Sequence, residues 1–305
     1  MSSEEAVIQS TGENITDAVK NVLVVNCAVN IPLAITSIIG NSLVLHAVWK
    51  TSTLRSPSVV LLCGLALSDL AVGAVVQPFF IANDLIGLLS QDQSLKTLFV
   101  RIYNVLAFYV CGISLFTITT VSVDKLVAIQ KPLRYPSIVT IPRVRRVLVA
   151  VWLFCVILVS TQFLHDMIQL VAVGVVVCVC LFISAFCHVK IYKFVRHHQH
   201  WIQMQLHAVE ANTPNTGNVN NNMSGLKRSA LNALIVFLVL IVCYCPYFIV
   251  FVVTSVYPIN VMLGRSLTST IVFINSALNP FLYCWRIHEI REVVKQTSHK
   301  LVCCK

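Results

Sequence analysis

The sequence predicts an all-α membrane protein, a seven-transmembrane helix bundle followed by a short amphipathic C-terminal helix. Three observations carry this. Of the 305 residues, 57% are hydrophobic and only 11% charged, too apolar a balance for a water-soluble globule. Seven apolar stretches reach or exceed the roughly 20 residues that cross a bilayer. The positive charge is also sorted: only Lys20, Lys96, Arg101 and Arg265 fall on the N-terminal side, and the rest of the 22 Lys and Arg, including Lys131, Arg134, Arg143 and Lys193, fall on the other.

Taken in order, residues 1–21 read as an extracellular tail, acidic through Glu4, Glu5, Glu13 and Asp17. They hold no apolar core, so no cleavable signal peptide is expected and the first span directs insertion. The charge asymmetry puts the N-terminus outside and the C-terminus in the cytoplasm of a multi-pass plasma-membrane protein. Asn14-Ile15-Thr16 is then an accessible glycosylation sequon. Asn222-Met223-Ser224 lies on the cytoplasmic side and stays bare.

The transmembrane domain covers residues 22–285, with spans at 22–49, 58–82, 95–130, 144–164, 167–195, 226–256 and 261–285. The links are short except for 197–225, whose His, Asn and Gln with Pro214 and Gly217 predict a disordered cytoplasmic loop. No internal repeat of the kind that marks many transporters is evident. Residues 286–305 form the amphipathic helix and tail. Ile287, Ile290 and Val294 recur at helical spacing among Arg286, Arg291, Lys295 and Lys300, which suits the lipid of the inner leaflet. Cys303 and Cys304 follow as palmitoylation candidates. All twelve cysteines lie in spans or in this tail, so an extracellular disulfide framework is not expected.

Polar residues at lipid depth are costly and mark function. Asn41, Asp69, Ser114, Asn275, Ser276 and Asn279 recur along the first, second, third and seventh spans. They point to a buried cluster holding water and Na⁺ that rearranges on switching, or to a structural network tying the helices together; no other cofactor is expected. Pro280 removes a backbone hydrogen bond beside Asn279 and Tyr283 and makes a flexing point there. No nucleophile and base converge and no metal-ligand set occurs in the spans, so an enzyme is not expected. The sorted charge also argues against nucleic acid as a partner.

Gly40-Asn41, Leu65-Ala66-Leu67-Ser68-Asp69-Leu70, Asp124 ahead of Pro132-Leu133-Arg134-Tyr135, Trp152, Ile191-Tyr192, Cys243-Tyr244-Cys245-Pro246 and Asn279-Pro280-Phe281-Leu282-Tyr283 together resemble, in order and spacing, the rhodopsin-like (class A) G-protein-coupled receptors. The usual third-span cysteine corresponds to Val100 and the usual fifth-span proline to Ser184. With the nearly absent second extracellular loop, that is similar to the melanocortin receptors, within the wider melanocortin, lysophospholipid, cannabinoid and adenosine group.

The resemblance implies a receptor that passes a small-molecule, lipid-like or peptide signal to heterotrimeric G proteins. It implies activation residues at Asp124, Lys125, Tyr192, Tyr244, Pro246, Pro280 and Tyr283, and G-protein contacts at Lys125, Leu133, Lys227 and Arg228. Ala107 stands where amine receptors hold an aspartate, Phe273 where opsins hold a lysine, and Phe79, Val100 and Asn104 where melanocortin receptors hold acids. A biogenic amine, retinal and a melanocortin-like peptide are thereby disfavoured. The expected cavity of Phe79, Asn104, Ala107, Phe108, Cys111, Tyr244, Phe248 and Phe273 suits a small, largely apolar ligand. Lys125 replaces the arginine of the Asp-Arg-Tyr triplet and lacks its planar fork of donors. It keeps alive the alternative of a non-signalling heptahelical binder or a transporter-like protein. Leu226 stands where many relatives have an acidic partner for that position.

Overall fold

Apolar side chains on the outside and polar ones within are the plan of this chain, shown by a computed structural model that describes residues 3–51, 56–164, 166–210, 235, 238–254, 257, 262–286 and 288–303. In the first helix, α1 (Ser3–Lys50), the buried residues Leu23, Asn26, Asn30, Ala34, Ser37, Asn41 and Val44 recur every three or four positions. That is one stripe of a helix. Ile31, Ile35 and Ile39 stand exposed between them, an apolar surface suited to lipid.

The second span begins at α2 (Pro57–Ala71), where Ser56 caps the helix by accepting from the Val59 N–H at 3.4 Å and Pro57 occupies the first turn. Proline is tolerated there because its missing N–H would have had no partner. A π-helical turn at Val72–Val76 then inserts one residue, and the span continues as α3 (Gln77–Leu89). Gly73 in that turn lies against α1: a Cβ would meet the Ala34 carbonyl oxygen and the Ser37 Cβ at 3.0 Å. The third span, α4 (Gln93–Gln130), starts where the Asp92 carboxylate accepts from the Ser94 and Leu95 N–H groups. It packs against the second, fourth and fifth spans.

After the short α5 (Tyr135–Ile138) come α6 (Ile141–Ser160), a 3-10 turn at Thr161–Phe163, and α7 (Asp166–Glu210). The sixth span is described as α8 (Leu238–Thr254) and the seventh is α9 (Met262–Arg286). Six of these spans are long and apolar enough to cross a membrane, and α8 is a shorter apolar helix within the described residues. A Cβ on Gly40 would meet the Pro280 ring at 2.7 Å, so glycine is what lets α1 and α9 approach at the proline. The last helix, α10 (His288–Cys303), folds back on α1 and α9 through fully buried Ile290.

Three expectations change. The tail at 1–21 is helical from Ser3 onward and continuous with the first span. Helix also continues through His197 to Glu210, so the first part of the 197–225 stretch is not the irregular linker its composition predicts. The second span runs to Leu89 rather than residue 82. In the first two of these the polar residues sit among good helix formers, which propagates a helix already nucleated by the apolar span.

Candidate functional site

At mid-bundle the Asn279 amide donates to Asp69 Oδ2 at 2.6 Å, and Ser276 is a second hydrogen-bonding neighbour of that carboxylate. The Asn41 amide donates to the carbonyls of Ser37 and Ser276, at 2.9 and 3.3 Å. Ser114 donates to the Ser68 hydroxyl at 2.9 Å rather than to Asp69. Asn41, Asp69, Ser114, Asn275, Ser276 and Asn279 are all buried. Asp69 Oδ1 and Asn41 Oδ1 lack a hydrogen-bond partner among the described residues, as does the Asn275 amide. Two orphan oxygens, one from a carboxyl group and one from an amide, fit water or a hard cation, which takes oxygen ligands.

Towards the N-terminal face lies an apolar chamber of about 70 Å³, lined by Ala107, Phe108, Cys111, Tyr244, Phe248 and Phe273 among others. Tyr103 and Ser269 also line it, and the Tyr103 hydroxyl donates across to Ser269 Oγ at 3.0 Å. Asn104 belongs to the wider spaces outside that bond. Phe79 does not line the chamber. It pairs with Phe99 of α4, ring centroids 6.4 Å apart, while Phe80, 1% exposed, packs against Phe273 and Tyr103. The π-helical turn explains the shift: its extra residue moves everything after it one position along.

A second polar network escaped the sequence reading. The Asn26 amide donates to Ser266 and Ser266 in turn to Asp84 Oδ2, at 2.7 and 2.5 Å. The Asn30 amide donates to Thr270 at 2.7 Å, Thr270 to Asn26 Oδ1 at 3.0 Å, and the Gln77 amide to Asn30 Oδ1 at 3.4 Å. It joins the first, second and seventh spans near the N-terminal face. The signal was available: Asn26 and Asn30, and Ser266 and Thr270, are polar pairs four apart in apolar helices, hence on one face.

At the C-terminal face Asp124, 5% exposed, accepts from Ser58 at 2.6 Å and from the Tyr135 hydroxyl at 2.7 Å. Lys125 Nζ stands 3.8 Å from the same carboxylate. Burial pushes the Tyr135 phenol up to about 12, Ser58 opposes this and the Asp124 carboxylate adds to it, so the phenol stays a donor. Tyr244 and Tyr283 are buried, Pro280 is buried beside Gly40, and Pro246 is half-buried in α8. Tyr192 points outward, 55% exposed, and is not gathered with the other expected activation residues. Leu133 is 96% exposed. Lys227 and Arg228 lie outside the described residues, as do Cys304 and Asn222. Asn14 falls in α1 and Cys303 ends α10.

The family described as 7 transmembrane receptor (rhodopsin family) matches residues 40–169 and 160–283. The alpha-2B adrenergic receptor of Talpa europaea is 30% identical over 131 residues, 43% of this chain and 32% of that protein. The adenosine receptor A2b of Bos taurus is 35% identical over 137 residues, 45% of this chain and 40% of that protein. The 5-hydroxytryptamine receptor 7 of Xenopus laevis is 35% identical over 101 residues, 33% of this chain and 23% of that protein. The chain thus spans well under half the length of the curated relatives it matches.

Proposed function

Because this chain belongs to the rhodopsin family of seven-transmembrane receptors, a family of membrane receptors rather than enzymes, we propose that it sits in the plasma membrane with its N-terminus outside and passes a small extracellular signal to heterotrimeric G proteins. The observation that carries this is the position of the Asp69 carboxylate. It is bonded to Asn279 beside Pro280 on α9, the helix whose Phe273 lines the apolar chamber together with Cys111 and Tyr244. A ligand seated there touches Tyr244 on the sixth span and Phe273 on the span that carries Pro280 and the Asn279 bond. The chamber's apolar and aromatic lining supports a small, largely apolar or lipid-like ligand.

At the other end, Leu133 offers an exposed apolar contact for the G protein and Lys125 a charge; Lys227 and Arg228 are proposed to join them. Asp69 Oδ1 and Asn41 Oδ1 would hold Na⁺ or water, whose loss would accompany activation. Asn14 is proposed to carry glycan, and Cys303 and Cys304 palmitate against the inner leaflet. The test is nucleotide exchange on a panel of G proteins at matched surface expression. Exchange above that of empty membranes supports the reading, and none across all G-protein families, with a ligand shown to bind, favours a non-signalling binder.

A further inference from the structure

The inner chamber, at about 70 Å³, is smaller than the roughly 300–1,000 Å³ that a drug-sized ligand occupies. Beyond the Tyr103–Ser269 bond opens a vestibule of about 480 Å³ on the N-terminal face. Tyr103 and Ser269 line both spaces, so the two adjoin at that bond and one molecule can lie across them beside it. The spaces differ in chemistry. The chamber is aromatic and aliphatic, whereas the vestibule brings together three charged side chains, Asp84, Lys96 and Arg265.

Asp84 is only 3% exposed, yet its carboxylate accepts from neutral groups alone, Ser266 at 2.5 Å and Asn83 at 3.3 Å. Among the described residues no cation lies within ion-pairing distance of it. Arg265, exposed at the start of α9, directs two guanidinium nitrogens to Thr254 of α8, at 3.1 and 2.6 Å. Its positive charge is likewise unmatched by a carboxylate there. A buried anion and two cations facing one cavity without pairing leave complementary charge to be supplied from outside. A simple cation would meet Lys96 and Arg265, and a simple anion would meet Asp84.

We propose that the vestibule binds a zwitterionic head group, its ammonium on Asp84 and its carboxylate or phosphate on Arg265 and Lys96, with the apolar remainder of the ligand reaching past Tyr103 and Ser269 into the inner chamber. This rests on the receptor reading above and names the ligand class for that site. Both halves are needed at once. The charged head explains why a buried carboxylate is kept there without a cation beside it, and the small apolar chamber explains why only a slim tail enters.

The experiment measures saturable binding, without G protein, to the purified full chain in nanodiscs of phosphatidylglycerol. Three probes differ only in head: 2-aminooctanoic acid, heptylamine, which lacks its carboxylate, and octanoic acid, which lacks its amine. The zwitterion should bind most tightly. Asp84→Asn keeps an oxygen to accept from Ser266 and loses only the charge; it should weaken the zwitterion about tenfold to a hundredfold and spare octanoic acid. Arg265→Gln should weaken the zwitterion and spare heptylamine. Asp84→Glu, which restores the charge, should recover part of the loss. Competition by added phosphatidylethanolamine assigns the head group to a bilayer lipid, and its absence to a free amphiphile; either keeps the site. No saturable binding of the zwitterion to the unaltered chain overturns the proposal, and so does an equal loss of all three probes in Asp84→Asn. Nucleotide exchange is read separately, so failure here leaves the receptor reading standing.

Discussion

Two buried aspartates on the same span, Asp69 and Asp84, sit in opposite kinds of surroundings. Asp84 ends a chain in which Ser266, Asn26, Thr270 and Asn30 each serve a neighbour across helices, and among its described members only the Gln77 side-chain oxygen is left over. Asp69 is bonded to Asn279 through one oxygen while the other, like the Asn41 side-chain oxygen, is left over. A network whose hydrogen bonds are nearly all made is rigid at low dielectric even where its charge is unmatched, and one whose carboxylate lacks a partner on one oxygen stays ready to exchange partners. The N-terminal face is thus held as a fixed frame, and the middle of the bundle next to Pro280 is where motion is cheap.

The sharpest way to break this comparison is Asn30→Ala. It removes the donor to Thr270 and the side-chain acceptor of Gln77, while Thr270 keeps Asn26 and Gln77 keeps the residue 30 carbonyl, and should cost about 1–2 kcal/mol of stability, measured by thermal unfolding in detergent. Basal nucleotide exchange per folded receptor should not move; if it does, the frame is part of the switch. Asp69→Asn should do the reverse. It removes a buried charge that lacks full pairing, so stability should hold or rise. Basal exchange should change by about fivefold or more, the scale of a typical allosteric coupling, and any Na⁺ dependence of agonist binding should vanish. Retained Na⁺ sensitivity would move the ion elsewhere.

Tyr135→Phe tests whether the C-terminal end resembles the frame or the switch. Loss of the bond to Asp124 should cost about 1 kcal/mol. Its pH signature has a definite sign. The phenol is raised from 10 to about 12 in the folded protein, so its contribution is complete below pH 10 and lost as pH rises through about 12. The unaltered chain should lose stability over that window relative to the phenylalanine variant; parallel curves would show that the phenol contributes nothing through its bond to Asp124. The smallest effect is expected at Lys125, where arginine should raise coupling by no more than about fivefold and alanine reduce it. With no acidic residue at Leu226 to restrain it, the arginine variant should show its gain in agonist-driven exchange.

The same contrast marks what the sequence made legible. The spans were readable because seven runs exceed the bilayer's length, and Asp69 with Asn279 because both fall in motifs of fixed spacing. The frame was not, since Asn26, Asn30, Ser266 and Thr270 belong to no motif and speak only through their four-residue spacing. The helical stretches before residue 22 and from 198 to 210 were hidden by polar composition, which reports solvent exposure rather than backbone conformation. Phe79 was expected at the cavity, and it is Phe80 that faces the bundle and lines the vestibule, because a π-helical turn has no compositional signature.

That turn has a consequence for anyone carrying knowledge between relatives. One added residue in a helix advances all later positions by about 100° around the axis, so the wall formed by Phe80 and Asp84 depends on a count rather than on side-chain identity. A gap-free alignment with a receptor whose second span is unbroken α-helix would pair every position after Val76 with the wrong neighbour. Numbering schemes anchored at Asp69 therefore need a one-residue offset beyond this point. Removing a single residue between 72 and 76 would do more to the vestibule than most substitutions within it.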